Sequence, residues 1–172
     1  MTGTVRMGIA ACLLALSLPL LSFPTVAQVM GEQAELGRLR AKAEDAMSND
    51  DPDGAAMMMG RAALLAAQLA KKQDGFGRQV WTGNEALFRS QEHTYRAVAL
   101  FRRAGGQLPA SSGVCTSLAL AQTSLGHALD AAATPSSPPP ASPLIGDATL
   151  LHESVENWST VIESMITEYQ CP

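Results

Sequence analysis

The chain has 172 residues, of which 12 are basic, 16 are acidic and 47% are hydrophobic. This size suits one domain and excludes a two-domain enzyme, and the hydrophobic content excludes a wholly disordered chain. The net charge of −4 leaves no broad basic field to neutralise phosphates, so we expect no nucleic-acid partner. No catalytic or cofactor motif stands out.

Residues 1–27 have the pattern of a cleavable secretory signal peptide. Arg6 precedes an apolar run over residues 7–21, and small residues lead to a cleavage site after Ala27. An uncleaved anchor is disfavoured because the run is about 15 residues long, whereas a membrane-spanning helix needs about 20. A lipid anchor at Cys12 is disfavoured because most of the run follows that cysteine. We therefore predict a periplasmic or secreted protein with no stable membrane span after cleavage.

The sequence of the predicted mature chain indicates an all-α protein. Five segments have apolar residues at spacings of three and four, and no stretch alternates apolar and polar residues between hairpin signals. We predict a four- or five-helix bundle of antiparallel helical hairpins. Residues 28–133 form a helical domain of two hairpins, residues 134–146 a Pro/Ser-rich linker, and residues 147–172 a C-terminal helix packed on the same domain. The predicted helices cover residues 30–47, 52–73, 84–104, 112–133 and 147–169.

Several local signals set these boundaries. Asp51 is a candidate N-cap, and Pro52 suits the first position of a helix because its missing N–H costs little there. Gly105 and Gly106 predict the end of the third helix. Asp147 is a candidate N-cap for the last helix, whose apolar stripe is the clearest in the chain.

The first two predicted helices contain many small residues and the turn Asn49-Asp50-Asp51-Pro52 before an Ala-rich helix. In this they resemble the helical pairs of tetratricopeptide-like proteins. The resemblance covers about residues 32–70, but the second hairpin begins roughly 50 residues later, where the repeat has a period of about 34, and the aromatic pattern of the repeat is missing. The resemblance implies hairpin geometry and no particular function.

Cys115 and Cys171 are the two cysteines of the predicted mature chain. An even count in an oxidising compartment favours a disulfide. Cys115 lies at the start of the fourth predicted helix and Cys171 beyond the end of the fifth. Antiparallel packing of these helices would bring both sulfurs to the same end of the molecule, so we predict that they are bonded.

Charge is unevenly distributed along the chain. Residues 54–103 contain eight basic and three acidic side chains, whereas residues 146–172 contain five acidic side chains and no Lys or Arg. The last helix could dock across the basic middle of the chain, or the charges could solvate separate faces. Exposed ion pairs contribute only about 0–1 kcal/mol, so attraction has a secondary role in either case.

The stretch around Phe76, Arg78 and Trp81 is the strongest candidate for an interaction surface. Its three glycines and two aromatics predict a loop before the third helix, and exposed aromatics beside Arg are enriched in protein interfaces. The alternative is that both aromatics pack over the ends of the bundle. A polar patch on the third helix could extend the surface: Arg89, Glu92, His93 and Arg96.

Metal binding and catalysis have weaker support in the sequence than an interaction surface. His93, His127 and His152 fall on different predicted helices without metal-ligand spacing, and Met57, Met58 and Met59 point in different directions around a helix. Cys115 would be a nucleophile only if it were not bonded. We therefore predict no metal, no cofactor and no catalytic residues. The sequence favours a non-enzymatic accessory or adaptor module of the bacterial cell envelope that binds a protein or peptide. A small-molecule or metal-binding periplasmic bundle is the alternative.

Overall fold

The computed structural model describes the backbone of residues 26–133 and 145–172 and the side chains of residues 30–133 and 147–172. Residues 1–25 of the predicted signal peptide and 134–144 of the predicted linker lie outside the described residues. The described parts form an all-α bundle of five helices, which confirms the predicted fold class. The helices are α1 (Val26–Ser48), α2 (Pro52–Lys71), α3 (Gly75–Arg103), α4 (Ser112–Ala133) and α5 (Ile145–Glu168).

Short connections turn the chain back at the end of each of the first three helices. Asp51 caps α2 as predicted, and its Oδ1 accepts a hydrogen bond of 2.8 Å from the backbone N–H of Gly54. Gly105 and Gly106 follow the end of α3 with φ of 73° and 67°, a conformation that favours glycine. The prediction that Asp147 is the N-cap of the last helix is wrong. Helix α5 begins at Ile145, so Asp147 lies in its first turn.

The predicted loop over residues 75–83 is helical, because α3 begins at Gly75 and not near Asn84. Its last glycine, Gly83, serves packing. A Cβ on Gly83 would lie 2.5 Å from Leu151 Cδ2 and 3.1 Å from the Ala131 side chain, so the absent side chain lets α4 and α5 approach α3. A glycine inside a helix costs about 1 kcal/mol, and burial of Val80 and Trp81 in the same segment offsets that cost.

Helix α3 is the centre of the bundle: α2, α4 and α5 pack against it, and α1 packs on α2. A first apolar cluster joins α1, α2 and α3, and a second joins α3, α4 and α5. Across the described residues, α1 and α5 do not pack against each other. That separation leaves a cleft over the middle of α3.

A disulfide joins Cys115, near the start of α4, to Cys171, beyond the end of α5, as predicted. The two Cα atoms are 5.4 Å apart. Beside this bond the ring of Tyr169 stacks on Phe101 at 4.2 Å, and the backbone N–H of Ala110 donates to the Tyr169 carbonyl at 2.9 Å. A disulfide, an aromatic stack and a backbone hydrogen bond therefore hold the chain at the C-terminal end of α5.

Apolar contacts, not ion pairs, hold the rest of α5. Leu151, Val155 and Ile162 are buried against α3 and α4. Its carboxylates at 153, 156, 163 and 168 are exposed, and within the described residues none of them pairs with an Arg or Lys. Attraction between these carboxylates and the arginines of α2 and α3 therefore does not fix α5 through ion pairs in the described part of the chain.

Candidate functional site

The seven residues predicted to form an interaction surface all lie on α3, but the structure does not bring them together. Trp81 is only 6% exposed and packs in the apolar cluster of α1, α2 and α3. It lines the cleft between α1 and α5, whereas Arg89, Glu92 and Arg96 line a groove between α2 and α3.

The other three predicted residues lie apart from that groove or at its edge. Phe76 is half-buried in the first turn of α3. Arg78 is exposed and its Nη2 donates to Asp74 Oδ1 at 2.8 Å. His93 is half-buried next to Glu92 in the chain. The segment predicted as an aromatic loop is therefore helical, and its residues are spread along α3.

The groove between α2 and α3, which we call the basic groove, has a volume of about 400 Å³. Its α2 wall includes Met57, Gly60, Arg61 and Leu64, and its α3 wall is formed by residues one turn apart along the helix: Arg89, Glu92 and Arg96. Asp53 lies at one end and contacts Arg103 at 3.4 Å.

Glu92 fixes the two α3 arginines. It is 9% exposed, and its carboxylate accepts hydrogen bonds from Arg89 Nη1 at 2.8 Å and Arg96 Nη2 at 2.6 Å. A Cβ on Gly60 would lie 3.1 Å from the Glu92 carboxyl carbon, so this glycine makes room for the carboxylate between α2 and α3. Charge-assisted bonds of this kind hold both guanidinium groups in place.

The α2 wall combines a cation with exposed apolar side chains. Met57 and Leu64 are 52% and 55% exposed. They lie two turns apart on one stripe of α2, with Arg61 between them. Arg61 Nη2 lies 4.0 Å from Met57 Sδ, and within the described residues no carboxylate pairs with this arginine. Each groove carboxylate already contacts an arginine, so the groove has an excess of positive charge.

Histidine 93 lies beside this charge cluster. Burial lowers the pKa of His93 from its ordinary 6.5, the Glu92 carboxylate raises it, and the guanidinium groups of Arg96 and Arg89 lower it. The net direction is downward. The folded protein therefore binds the His93 proton more weakly than the unfolded chain does.

This pKa shift predicts the pH dependence of stability. The contribution of neutral His93 is fully present above pH 6.5 and is lost as the pH falls below 6.5 through the lowered pKa of the folded state. In urea unfolding, we expect wild type to lose more stability than His93→Asn between pH 8 and pH 5. Equal losses in the two proteins would contradict the prediction.

The structure also shows where the residues considered for metal binding and nucleophilic catalysis lie. His93, His127 and His152 lie on α3, α4 and α5, and the described residues contain no group of three or more His, Cys, Asp or Glu side chains able to hold a metal. Of the three consecutive methionines, Met59 is buried and Met57 is exposed. Cys115 is in the disulfide, so it presents no thiolate.

Sequence reasoning missed Met57, Arg61 and Leu64 on α2 and Gln91 on α3. A signal for each was present. The spacing of Met57, Arg61 and Leu64 puts a lone cation between two large apolar side chains on one face of an Ala-rich helix. Gln91 falls on the same stripe as Leu87, where a polar side chain interrupts an apolar face.

Comparisons of the chain with protein-family models, curated proteins and solved structures find no match. Among the helices in the described residues, none combines the length and apolar character needed to cross a bilayer.

Proposed function

We propose that the protein is an exported, non-enzymatic interaction module of the bacterial cell envelope, and that its basic groove binds an acidic amphipathic helix of a partner protein. The observation that carries the proposal is the position of Arg61 between the exposed side chains of Met57 and Leu64. In the part of the chain that the structure describes, Arg61 has no carboxylate partner, and two arginines held by Glu92 lie on the opposite wall.

The composition of the groove supports a protein partner. Arg and Met are enriched at protein interfaces, and exposed large apolar side chains grouped beside polar ones mark such sites. Because Arg89 and Arg96 are already held by Glu92, less conformational entropy is lost when they bind a partner than for free side chains. The groove is thus preorganised on its α3 wall.

The shape and charge of the groove indicate the class of partner. Two parallel ridges of side chains from α2 and α3 form an open trough, the kind of surface into which an amphipathic helix lays its apolar face. Met57 and Leu64 would contact apolar residues one or two turns apart on that helix. The excess positive charge favours carboxylates at its edges and would speed association at low salt.

Export is supported by the signal-like residues 1–27 and by the disulfide, since such bonds persist in oxidising compartments such as the periplasm. The proposed role requires no catalytic residue and no cofactor, and we assign none.

Site-specific photo-crosslinking in exporting cells tests the groove. We place a photoreactive phenylalanine at Leu64 and, as a matched control, at Leu129 of α4, which is 45% exposed. Leu64 is expected to give a discrete adduct with another envelope protein that Leu129 does not give. Adding Arg61→Glu should reduce that adduct at least ten-fold, because a repulsive charge replaces an attractive one.

Arg38→Glu is the control for the change of charge, since Arg38 is exposed on α1 and away from the groove. It should leave the adduct at Leu64 unchanged. The same adducts from both crosslinker positions, or an adduct insensitive to Arg61→Glu, would contradict the proposal. An adduct between two copies of this chain would assign the groove to self-association instead.

A further inference from the structure

The cleft between α1, α3 and α5 lies over the face of α3 that bears Trp81, away from the basic groove. Its volume is about 250 Å³. Its floor is formed by residues of α3, and its walls by Leu36 and Gly37 of α1 and Leu151 and Ser154 of α5. The cleft exists because α1 and α5 do not pack together in the described chain.

One polar group in the floor lacks a partner among the described residues. Gln91 is 6% exposed, and none of the described groups donates a hydrogen bond to its buried Oε1. Asn84, the other amide in the floor, donates from Nδ2 to the Val80 carbonyl at 2.9 Å. A buried acceptor without a donor costs free energy of folding, and an apolar side chain of similar size would avoid that cost. Because that oxygen is itself buried, a donor in the cleft would reach it when the Gln91 amide turns toward the cleft that this residue lines.

The other residues that line the cleft indicate which other properties a ligand would need. Large apolar side chains line the same cleft as Gln91, including Trp81, Leu87 and Phe88. The rim carries one cation, Arg40, and one anion, Asp147, so it does not favour a net charge. A cavity of about 150 Å³ suffices for benzene. The volume of this cleft therefore suits a fused ring pair, or a single ring with a short substituent.

We propose that this cleft binds a small, neutral, largely apolar ring compound that donates an N–H or O–H to Gln91 Oε1. The apolar rings pack on Trp81 and Phe88, and the donor satisfies the buried amide. This site is separate from the basic groove, and its occupation does not depend on the protein partner proposed above.

Indole and 1-methylindole are the probes, because they differ by the N–H donor. Titrations of the full mature protein, followed by amide and Trp side-chain chemical shifts, are expected to show saturable binding of indole with shifts centred on Gly37 and Trp81. The affinity for 1-methylindole should be about ten-fold lower, since it leaves the buried acceptor unpaired. In Gln91→Met, the two probes should bind within about two-fold of each other.

Blocking variants test the location. Gly37 lines the cleft, and a Cβ there meets no atom within 4 Å. We therefore expect Gly37→Leu to fold, to narrow the cleft and to weaken both probes at least ten-fold. Gly126→Leu on α4, where a Cβ also meets nothing within 4 Å, is the matched control and should bind as wild type does. Ser154→Leu is the second blocking variant, because Ser154 lines the cleft from α5. It provides the test if Gly37→Leu lowers the melting temperature too far for the titration.

No saturable indole binding to wild type would overturn the inference. So would equal affinities for the two probes in wild type, or indole binding unchanged by both blocking variants. The crosslinking test of the basic groove is independent of these outcomes, because none of these substitutions touches the groove.

Discussion

Replacing Cys115 and Cys171 together by alanine is expected to lower the free energy of unfolding by about 4 kcal/mol. The bond spans a sequence separation of 56 residues, and a crosslink that closes a loop of this length removes that much chain entropy from the unfolded state. Urea unfolding of the oxidised wild type and of the double variant measures the difference.

Reduced and alkylated wild type should show the same loss as the double variant. Thr116→Ala, an exposed neighbour of Cys115, should remain within about 0.5 kcal/mol of wild type. A loss below about 1 kcal/mol in the double variant would show that α5 depends on apolar packing alone, contrary to the chain-entropy model.

Ile162→Ala is expected to destabilise the protein by about 3 kcal/mol. Ile162 is fully buried in the cluster that joins α3, α4 and α5. Its truncation removes the transfer free energy of the lost methyl and methylene groups and leaves a cavity. Thermal and urea unfolding give the change in stability.

The adjacent residue provides the control. Val161 is 44% exposed, so Val161→Ala should stay within about 0.5 kcal/mol of wild type. If Ile162→Ala behaved like Val161→Ala, α5 would not be packed on α3 and α4 as described. If instead α5 detached alone, its amides would lose hydrogen-exchange protection while those of α2 kept theirs.

The all-α class and the helix ends were predictable because their signals are local. Asp51, Pro52 and the glycines at 105 and 106 act through backbone geometry within one or two turns, and the apolar spacing reports which face is buried. The disulfide was predictable because it follows from helix direction: two antiparallel helices bring Cys115 and Cys171 to the same end.

The start of α3 was not predictable from the same rules. Glycines at 75, 77 and 83 are typical of a loop, and nothing in the sequence shows that α5 and α4 approach Gly83 closely enough to exclude a side chain. That contact is a tertiary effect, and it overrides helix propensity. The misplaced boundary also made Trp81, a buried residue, a candidate for the surface.

Neither the basic groove nor the cleft could be predicted from the sequence, because each is formed by side chains of different helices. Arg61 and Glu92 lie on α2 and α3 and meet only when the rotation of both helices is known. Gln91 was identifiable as a polar residue on an apolar stripe. That its Oε1 lacks a donor among the described residues depends on tertiary packing, which the sequence does not show.

The covalent bond near the C terminus has a consequence for processing by proteases. A single cut anywhere between the end of α4 at Ala133 and the start of α5 at Ile145 would divide the polypeptide, yet both pieces would remain one molecule through Cys115 and Cys171. Such a nicked, two-chain form would keep α5 as the wall of its cleft. It would migrate as one species on a non-reducing gel and release a short acidic peptide on reduction.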